Sequence, residues 1–125
     1  FDFLRNIVSI ENRARYILPM NEETAAARME ALGHSTRLSI YRLLVKAGDD
    51  GLVVGDIQRA LDVPASTLSH HLAKLARVGL VVQGRRGREI YCGVDFDEMR
   101  SLIGFLTEEC CTGFILEQDD TQSAA

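Results

Sequence analysis

The sequence predicts a single, mainly α domain with one small β-hairpin. Its 125 residues, 46% of them apolar and 26% charged, suit one compact globular core. Apolar residues recur at helical spacing in several segments between residues 22 and 111. Two strand-like segments between residues 80 and 94 flank a loop rich in glycine and arginine. These observations indicate an α+β fold in which the helices predominate.

Two helices are predicted at the start of this domain. The first covers residues 22–32 and ends at Gly33, and Ser35 or Thr36 is expected to cap the second. The apolar side of the second helix is expected to contain Leu38, Tyr41, Leu44 and Val45. Its solvent side is expected to carry the basic residues Arg37, Arg42 and Lys46.

A second pair of helices follows a turn at residues 48–51. A short helix is predicted over residues 56–61, then a break at residues 62–65, where Pro64 suits the start of the next helix. The longer helix covers residues 65–78 and ends at Gly79. Its apolar stripe consists of Leu68, Leu72 and Leu75.

The last part of the domain is predicted to be a hairpin and a helix. The strands cover residues 80–83 and 89–94, and a loop joins them at residues 84–88. Asp95 or Asp97 begins a final helix that extends to about Cys111, with the apolar stripe Met99, Leu102, Ile103 and Leu106. Residues 22–111 therefore form the domain, between an N-terminal extension at residues 1–21 and an acidic flexible tail at residues 112–125.

The order of these elements is that of a winged helix-turn-helix, which places its longer helix in the major groove of DNA. The side of that helix opposite the leucines carries small polar or basic groups: Ser66, Thr67, His70 and Lys74, with Ser69 at its edge. Such groups bond base edges and phosphates. His71 lies between Leu68 and Leu75, where packing or capping is as good an interpretation as base reading.

The charge distribution favours nucleic acid, although the net charge is −4. Residues 65–94 carry five basic side chains and one acidic one, whereas residues 95–125 carry one basic and eight acidic ones. Binding depends on the local field, so a basic segment in an acidic protein is informative. Arg85, Arg86 and Arg88 at the hairpin suit the DNA backbone or minor groove. A solvated charged surface is the simpler alternative.

Several classes of protein are excluded at this level. No Ser-His-Asp, Cys-His or paired-carboxylate arrangement indicates an enzyme. No apolar run approaches the ~20 residues of a membrane-spanning helix. Three cysteines do not suit a disulfide-stapled secreted scaffold. We therefore expect a cytoplasmic protein with reduced thiols.

Two segments resemble the ArsR/SmtB family. They read Ala31-Leu32-Gly33-His34-Ser35-Thr36-Arg37-Leu38 and Val63-Pro64-Ala65-Ser66-Thr67-Leu68-Ser69-His70-His71-Leu72, and Gly79-Leu80-Val81 follows them. The resemblance covers residues 22–111. It implies a homodimeric winged-helix repressor that binds double-stranded operator DNA and is released by metals, metalloids or thiol chemistry. It further implies that the dimer forms through the first and last helices, at residues 22–32 and 97–111.

The resemblance also restricts the effector. A Cys-Val-Cys site of the family corresponds here to Val53-Val54-Gly55, which has no ligand atoms, and the last helix lacks the histidine of the family's zinc site. Residues 104–111 resemble the arsenite-responsive subgroup, which implies that Cys110 and Cys111 bind As(III) or Sb(III). Cys92 is a candidate third ligand, but a small buried strand residue is the favoured interpretation.

Two alternatives remain at this stage. One is a repressor of the same fold that responds to thiol oxidation or persulfide formation at the cysteine pair. The other is a winged helix that serves as a protein-interaction module without a ligand.

Overall fold

The computed structural model describes residues 20–115, so the predicted extension and tail lie largely outside the described residues. In chain order its elements are α1 (Glu22–Leu32), α2 (Ser35–Ala47), a 3₁₀ turn (Gly48–Asp50), β1 (Leu52–Val53), α3 (Val54–Leu61), α4 (Ala65–Arg77), β2 (Val81–Arg86), β3 (Glu89–Val94) and α5 (Phe96–Thr107). The mainly α fold with a β-hairpin is confirmed. Within residues 20–115, no helix has both the length and the apolar character to cross a bilayer.

The core lies between α2, α3, α4 and the sheet. Its fully buried side chains include Ile40, Leu44, Ile57, Leu68, Leu72, Leu75 and Leu80. The three predicted leucines of α4 are all in this set, at positions i, i+4 and i+7 of the helix. Burial of these leucines fixes the rotation of α4 about its own axis, so the opposite side of the helix is exposed to solvent.

The predicted faces of α2 are partly wrong. Leu38 was expected in the core but is 43% exposed, and Ile40 is fully buried instead. Arg37 was expected in solvent but is buried, and its Nε donates a hydrogen bond of 2.6 Å to the carbonyl of Ala31 at the end of α1. A guanidinium can be buried when its donors are satisfied. The helix–helix contact supplies that acceptor, and periodicity alone does not reveal it.

The cap of α2 also differs from the prediction. His34, rather than Ser35 or Thr36, is the N-cap residue, and its Nδ1 accepts a hydrogen bond of 3.2 Å from the backbone N–H of Thr36. A histidine nitrogen can accept this bond in the same way as the oxygen of a serine or aspartate. The cap of α5 is one of the two predicted residues, because Asp95 Oδ1 accepts a bond of 3.2 Å from Glu98 N–H.

The sheet is antiparallel with the strand order β1-β3-β2. The predicted five-residue loop is wrong, because β2 continues to Arg86 and pairs there with Glu89. The turn is therefore only Gly87-Arg88, and Gly87 has a φ of 65°, which glycine adopts without steric cost. The two-residue strand β1 was not predicted, since its structure depends on pairing with Tyr91 and Cys92 of β3.

The last helix is shorter than predicted. It ends at Thr107, and residues 108–111 form a turn in which Cys110 N–H donates a bond of 2.9 Å to the carbonyl of Thr107. Cys111 has a φ of 65°, in the left-handed region, which stops a helix from continuing. The two cysteines consequently follow α5 and do not lie on it.

Two leucines of α2 provide a test of this core. Leu44→Ala removes a fully buried side chain and should lower the free energy of unfolding by about 2–5 kcal/mol. Leu38→Ala, the matched control on the same helix, should lower it by about 1 kcal/mol or less because Leu38 is already partly in solvent. Urea denaturation of both variants measures the difference. Equal losses would contradict the observed orientation of α2.

Candidate nucleic-acid interface and thiol site

The outer side of α4 carries the polar residues that the sequence pattern predicted to contact DNA. Ser66, Thr67, Ser69 and His70 are exposed, and Lys74 is half-buried. They lie opposite Leu68, Leu72 and Leu75, so the helix has one apolar and one polar side. The polar side offers hydroxyl, imidazole and ammonium groups, which can bond to base edges or phosphates.

The hairpin arginines are all exposed, but they are not equivalent. Arg85 and Arg86 are the last two residues of β2, whereas Arg88 lies in the turn. Successive strand residues point to opposite faces of a sheet, so Arg85 and Arg86 extend to opposite sides of the hairpin. Within the described part of the chain, none of the three takes part in an ion pair. Their charges therefore remain available to a partner.

His71 is a packing residue in this structure and is not exposed on the polar side of α4. It is buried, and its Nδ1 lies 3.3 Å from Nη1 of Arg37. An arginine only donates, so this nitrogen must be the acceptor of a neutral imidazole. Burial lowers the pKa of His71, and the nearby charges of His34, Arg37, His70 and Lys74 lower it further.

The Arg37–His71 contact joins α2 to α4 and was not predicted from the sequence. The ring of His34 also lies 4.8 Å from that of His71, centroid to centroid. Arg37 was expected on the outer side of its helix, and nothing in the spacing of the two residues indicates a contact across 34 positions. The signal that could have suggested it is the histidine between two core leucines of α4.

The cysteine pair forms the second candidate site. The Sγ atoms of Cys110 and Cys111 lie 3.1 Å apart, and both residues are exposed. The hydrogen bond to Cys111 raises the pKa of the Cys110 thiol, and partial desolvation adds to this effect. A cavity of about 580 Å³ adjoins the pair, between the start of α1 and the end of α5. It is lined by Asn21, Glu22, Phe105, Leu106, Glu108, Glu109 and Cys110.

Cys92 lies in a different environment from the pair. It is fully buried on β3, where its sulfur accepts a hydrogen bond of 3.5 Å from Nε2 of Gln83. Burial raises the pKa of its thiol. This environment favours the structural interpretation of Cys92. Within residues 20–115, no group of three or more His, Cys, Asp or Glu side chains is arranged to hold a metal ion.

Comparison with known proteins identifies the family. A model of a helix-turn-helix domain matches residues 32–83, from the end of α1 into β2. The HTH-type transcriptional regulator YgaV of Escherichia coli K12 is 30% identical over 94 residues, which cover 75% of this chain and 93% of YgaV. This chain belongs to the ArsR family of winged-helix transcriptional regulators. The structure of HlyU from Vibrio cholerae aligns with this ArsR-family chain at a TM-score of 0.59 and 29% identity, over 75% of this chain and 99% of HlyU.

A further ArsR-type structure bears on assembly. The homodimeric winged helix-turn-helix DNA-binding domain of Mb0332 from Mycobacterium bovis, a possible ArsR-family regulator, aligns at a TM-score of 0.55 and 25% identity. That alignment covers 79% of this chain and 87% of the Mb0332 domain. YgaV is named as a transcriptional regulator and HlyU as a transcriptional activator, and the Mb0332 domain is named as DNA-binding.

The burial of His71 predicts an acid-sensitive fold. Unfolding exposes the imidazole, so the unfolded chain binds a proton near pH 6.5 while the folded chain resists it. The stability present above pH 6.5 should therefore decline as the pH falls below that value. Urea denaturation between pH 8 and pH 5 should show a smaller decline for His71→Asn than for the parent. His70→Asn, at the exposed neighbour, removes only one of the smaller contributions to this shift and should change the profile less than His71→Asn does, and an equal change in the two variants would contradict the assignment.

Proposed function

We propose that this protein is a homodimeric repressor that leaves its operator DNA when As(III) or Sb(III) binds Cys110 and Cys111. The observation that carries the proposal is the pair of exposed sulfur atoms, 3.1 Å apart, at the junction of α1 and α5. Soft thiolate ligands select soft metal and metalloid ions over hard ones. Two adjacent sulfurs can chelate one such ion without a large movement of the backbone.

The acidic surroundings of the pair suit capture better than general thiol reactivity. Glu108 and Glu109 precede the cysteines, and the raised pKa of Cys110 keeps its thiol protonated at neutral pH. When arsenous acid reacts, each thiol proton leaves with one arsenic hydroxide as water, and two sulfur–arsenic bonds replace two oxygen–arsenic bonds. The overall reaction takes up two thiols and releases two waters, so its stoichiometry needs no added base.

The DNA-binding part of the proposal uses α4 and the hairpin. We propose that α4 lies in the major groove and that the hairpin contacts the adjacent backbone or minor groove. The exposed polar side of α4 and the exposed hairpin arginines, which make no ion pair with another residue in the range 20–115, support this arrangement. The proposed contact residues are Ser66, Thr67, Ser69, His70, Lys74, Arg85, Arg86 and Arg88.

The exposed apolar residues of α1 and α5 support a dimer through these two helices. Ile103 is 54% exposed and Leu106 is 60% exposed on α5, and Met29 is exposed on α1. Large apolar side chains exposed on neighbouring helices are typical of an interface. Leu106 also lines the cavity beside Cys110, so an ion at the thiols would act directly on the dimer surface. Movement of α5 would change the distance between the two α4 helices and weaken DNA binding.

The cysteine pair is tested by measuring release from DNA. The probe is a duplex selected from a random library with the parent protein, and its affinity is measured with and without sodium arsenite. We expect arsenite to weaken binding by the parent by about fivefold to 150-fold, the range of ordinary allosteric coupling. Cys110→Ser/Cys111→Ser should bind the duplex, and its affinity should not change when arsenite is added. Cys92→Ala is the matched control and should respond like the parent, because its thiol is fully buried.

The same assay separates the effectors. Arsenite release of the double serine variant would contradict the proposed site. The 3.1 Å separation of the sulfurs also favours a second candidate, in which peroxide oxidises the pair to a disulfide and is itself reduced to water. Release of the parent by peroxide or polysulfide, without release by arsenite, would establish that redox function and overturn the metalloid proposal.

The hairpin is tested through salt dependence. Arg85→Ala/Arg86→Ala should weaken binding and reduce the slope of log K against log [salt] by roughly 0.9 for each phosphate that the variant no longer neutralises. Arg100→Ala is the control, since this exposed arginine lies on α5. It should leave the slope unchanged. An unaltered slope in the double variant would remove the hairpin from the interface, and a parent without salt-dependent affinity would favour a protein-interaction module.

A further inference from the structure

A buried ion pair connects α1, α5 and the end of α4. Arg28 of α1 and Glu98 of α5 are each about 5% exposed, and Nη1 of Arg28 pairs with the carboxylate of Glu98. Nε of the same guanidinium donates a hydrogen bond of 2.8 Å to the carbonyl of Val78. Val78 is the C-cap residue, directly after the last residue of α4. This one side chain of α1 therefore contacts both α5, the other helix of the proposed dimer surface, and the C-terminal end of the proposed DNA-reading helix.

This ion pair differs from two other ion pairs among the described residues. Arg59–Asp56 and Arg100–Asp97 each lie within one helix at a spacing of three residues, and both are exposed. Pairs of that kind contribute little to structure or stability. Arg28–Glu98 crosses between helices and is shielded from water, so its geometry is held more firmly.

The surroundings of Arg28 hold it in one position. Its Nη1 also lies 3.7 Å from the sulfur of Met20, and the cap formed by Asp95 orders the first turn of α5, where Glu98 lies. Tyr41 of α2 belongs to the same cluster. Burial and the charge of Asp95 raise the pKa of Tyr41 to about 12, and the charge of Arg28 acts in the opposite direction.

We infer that Arg28 is a positioning residue for DNA recognition, because it sets the orientation of α4 relative to the α1–α5 pair. It is buried and touches no DNA itself. The thirteen residues of α4 span about 20 Å, so a small rotation at Val78 displaces the N-terminal residues of the helix by a larger distance. The link is independent of the effector. The inference rests on the proposed function in two respects, because α4 is taken as the DNA-reading helix and the last step, from helix orientation to the spacing of two readers, requires the proposed dimer.

The effect of Arg28 on the orientation of α4 can be measured separately from its contribution to the stability of the fold. Removal of one partner leaves a buried charge without its counter-ion, which destabilises a fold strongly. Replacement of both partners by apolar residues of similar size is often neutral or stabilising. The double variant Arg28→Met/Glu98→Leu therefore removes the bridge to Val78 while retaining a packed interior.

The experiment compares specific with non-specific binding. The affinity of Arg28→Met/Glu98→Leu is measured for the selected duplex and for an unrelated duplex of equal length, with thermal melting and sedimentation as checks of fold and dimer. We expect about tenfold weaker binding to the selected duplex, within the usual range of coupling between sites. The unrelated duplex should be bound as before, because that affinity depends on charge. The control Arg100→Met/Asp97→Asn, which removes the exposed pair of α5, should match the parent.

A second variant keeps the inference testable if the double variant does not fold. Arg28→Lys keeps a positive charge beside Glu98 but lacks the planar fork that serves Glu98 and Val78 together, so it should show a smaller loss in the same direction. A folded, dimeric double variant that binds the selected duplex within twofold of the parent would overturn the inference. So would loss of the dimer in either variant, which would assign Arg28 to assembly. If the double variant does not fold, parent-like specificity in Arg28→Lys would overturn it.

Discussion

The packing of one side of α4 against the core is the constraint on which the proposed DNA-binding surface depends. Leu68, Leu72 and Leu75 are at most 1% exposed, and burial of each such side chain contributes about 1.5–3 kcal/mol. Rotation of the helix by one residue, about 100°, would expose these leucines and bury hydroxyl groups that have no partners there. Burial of the apolar side of α4 therefore fixes the polar side towards solvent. The polar residues need no contacts of their own to keep this orientation.

The two candidate sites lie in regions of opposite charge. The segment of α4 and the hairpin is basic, whereas the chain from residue 95 onwards is acidic and contains the thiol pair. An anionic DNA backbone is attracted to the first region and repelled by the second. An effector at the thiols must therefore act on DNA binding indirectly. The helices α1 and α5 are the route that the structure offers, since they adjoin the thiol cavity and meet α4 through Arg28.

The success of the sequence in predicting α4 and its failure on the faces of α2 have one physical explanation. The apolar stripe of α4 is regular, so periodicity alone indicates which side is buried. On α2 a leucine is partly exposed and an arginine is buried, because the arginine meets a carbonyl of α1 and an imidazole of α4. Both acceptors come from other helices. The length of β2 and the existence of β1 were hidden for the same reason, since a strand with weak local signals is stabilised by its neighbours.

The sequence by itself determined the order of the helices and the hairpin, the apolar and polar sides of α4, the basic segment and the adjacent cysteines. These depend on local spacing and composition, which need no knowledge of distant contacts. Only the tertiary structure decided that His71 packs inside, that Cys92 is buried, that the thiol pair follows α5, and that Arg28 joins three helices. Apart from the end of α5, each of these depends on a partner in another helix or strand, and the cost of burying a polar group is set by whether that partner is present.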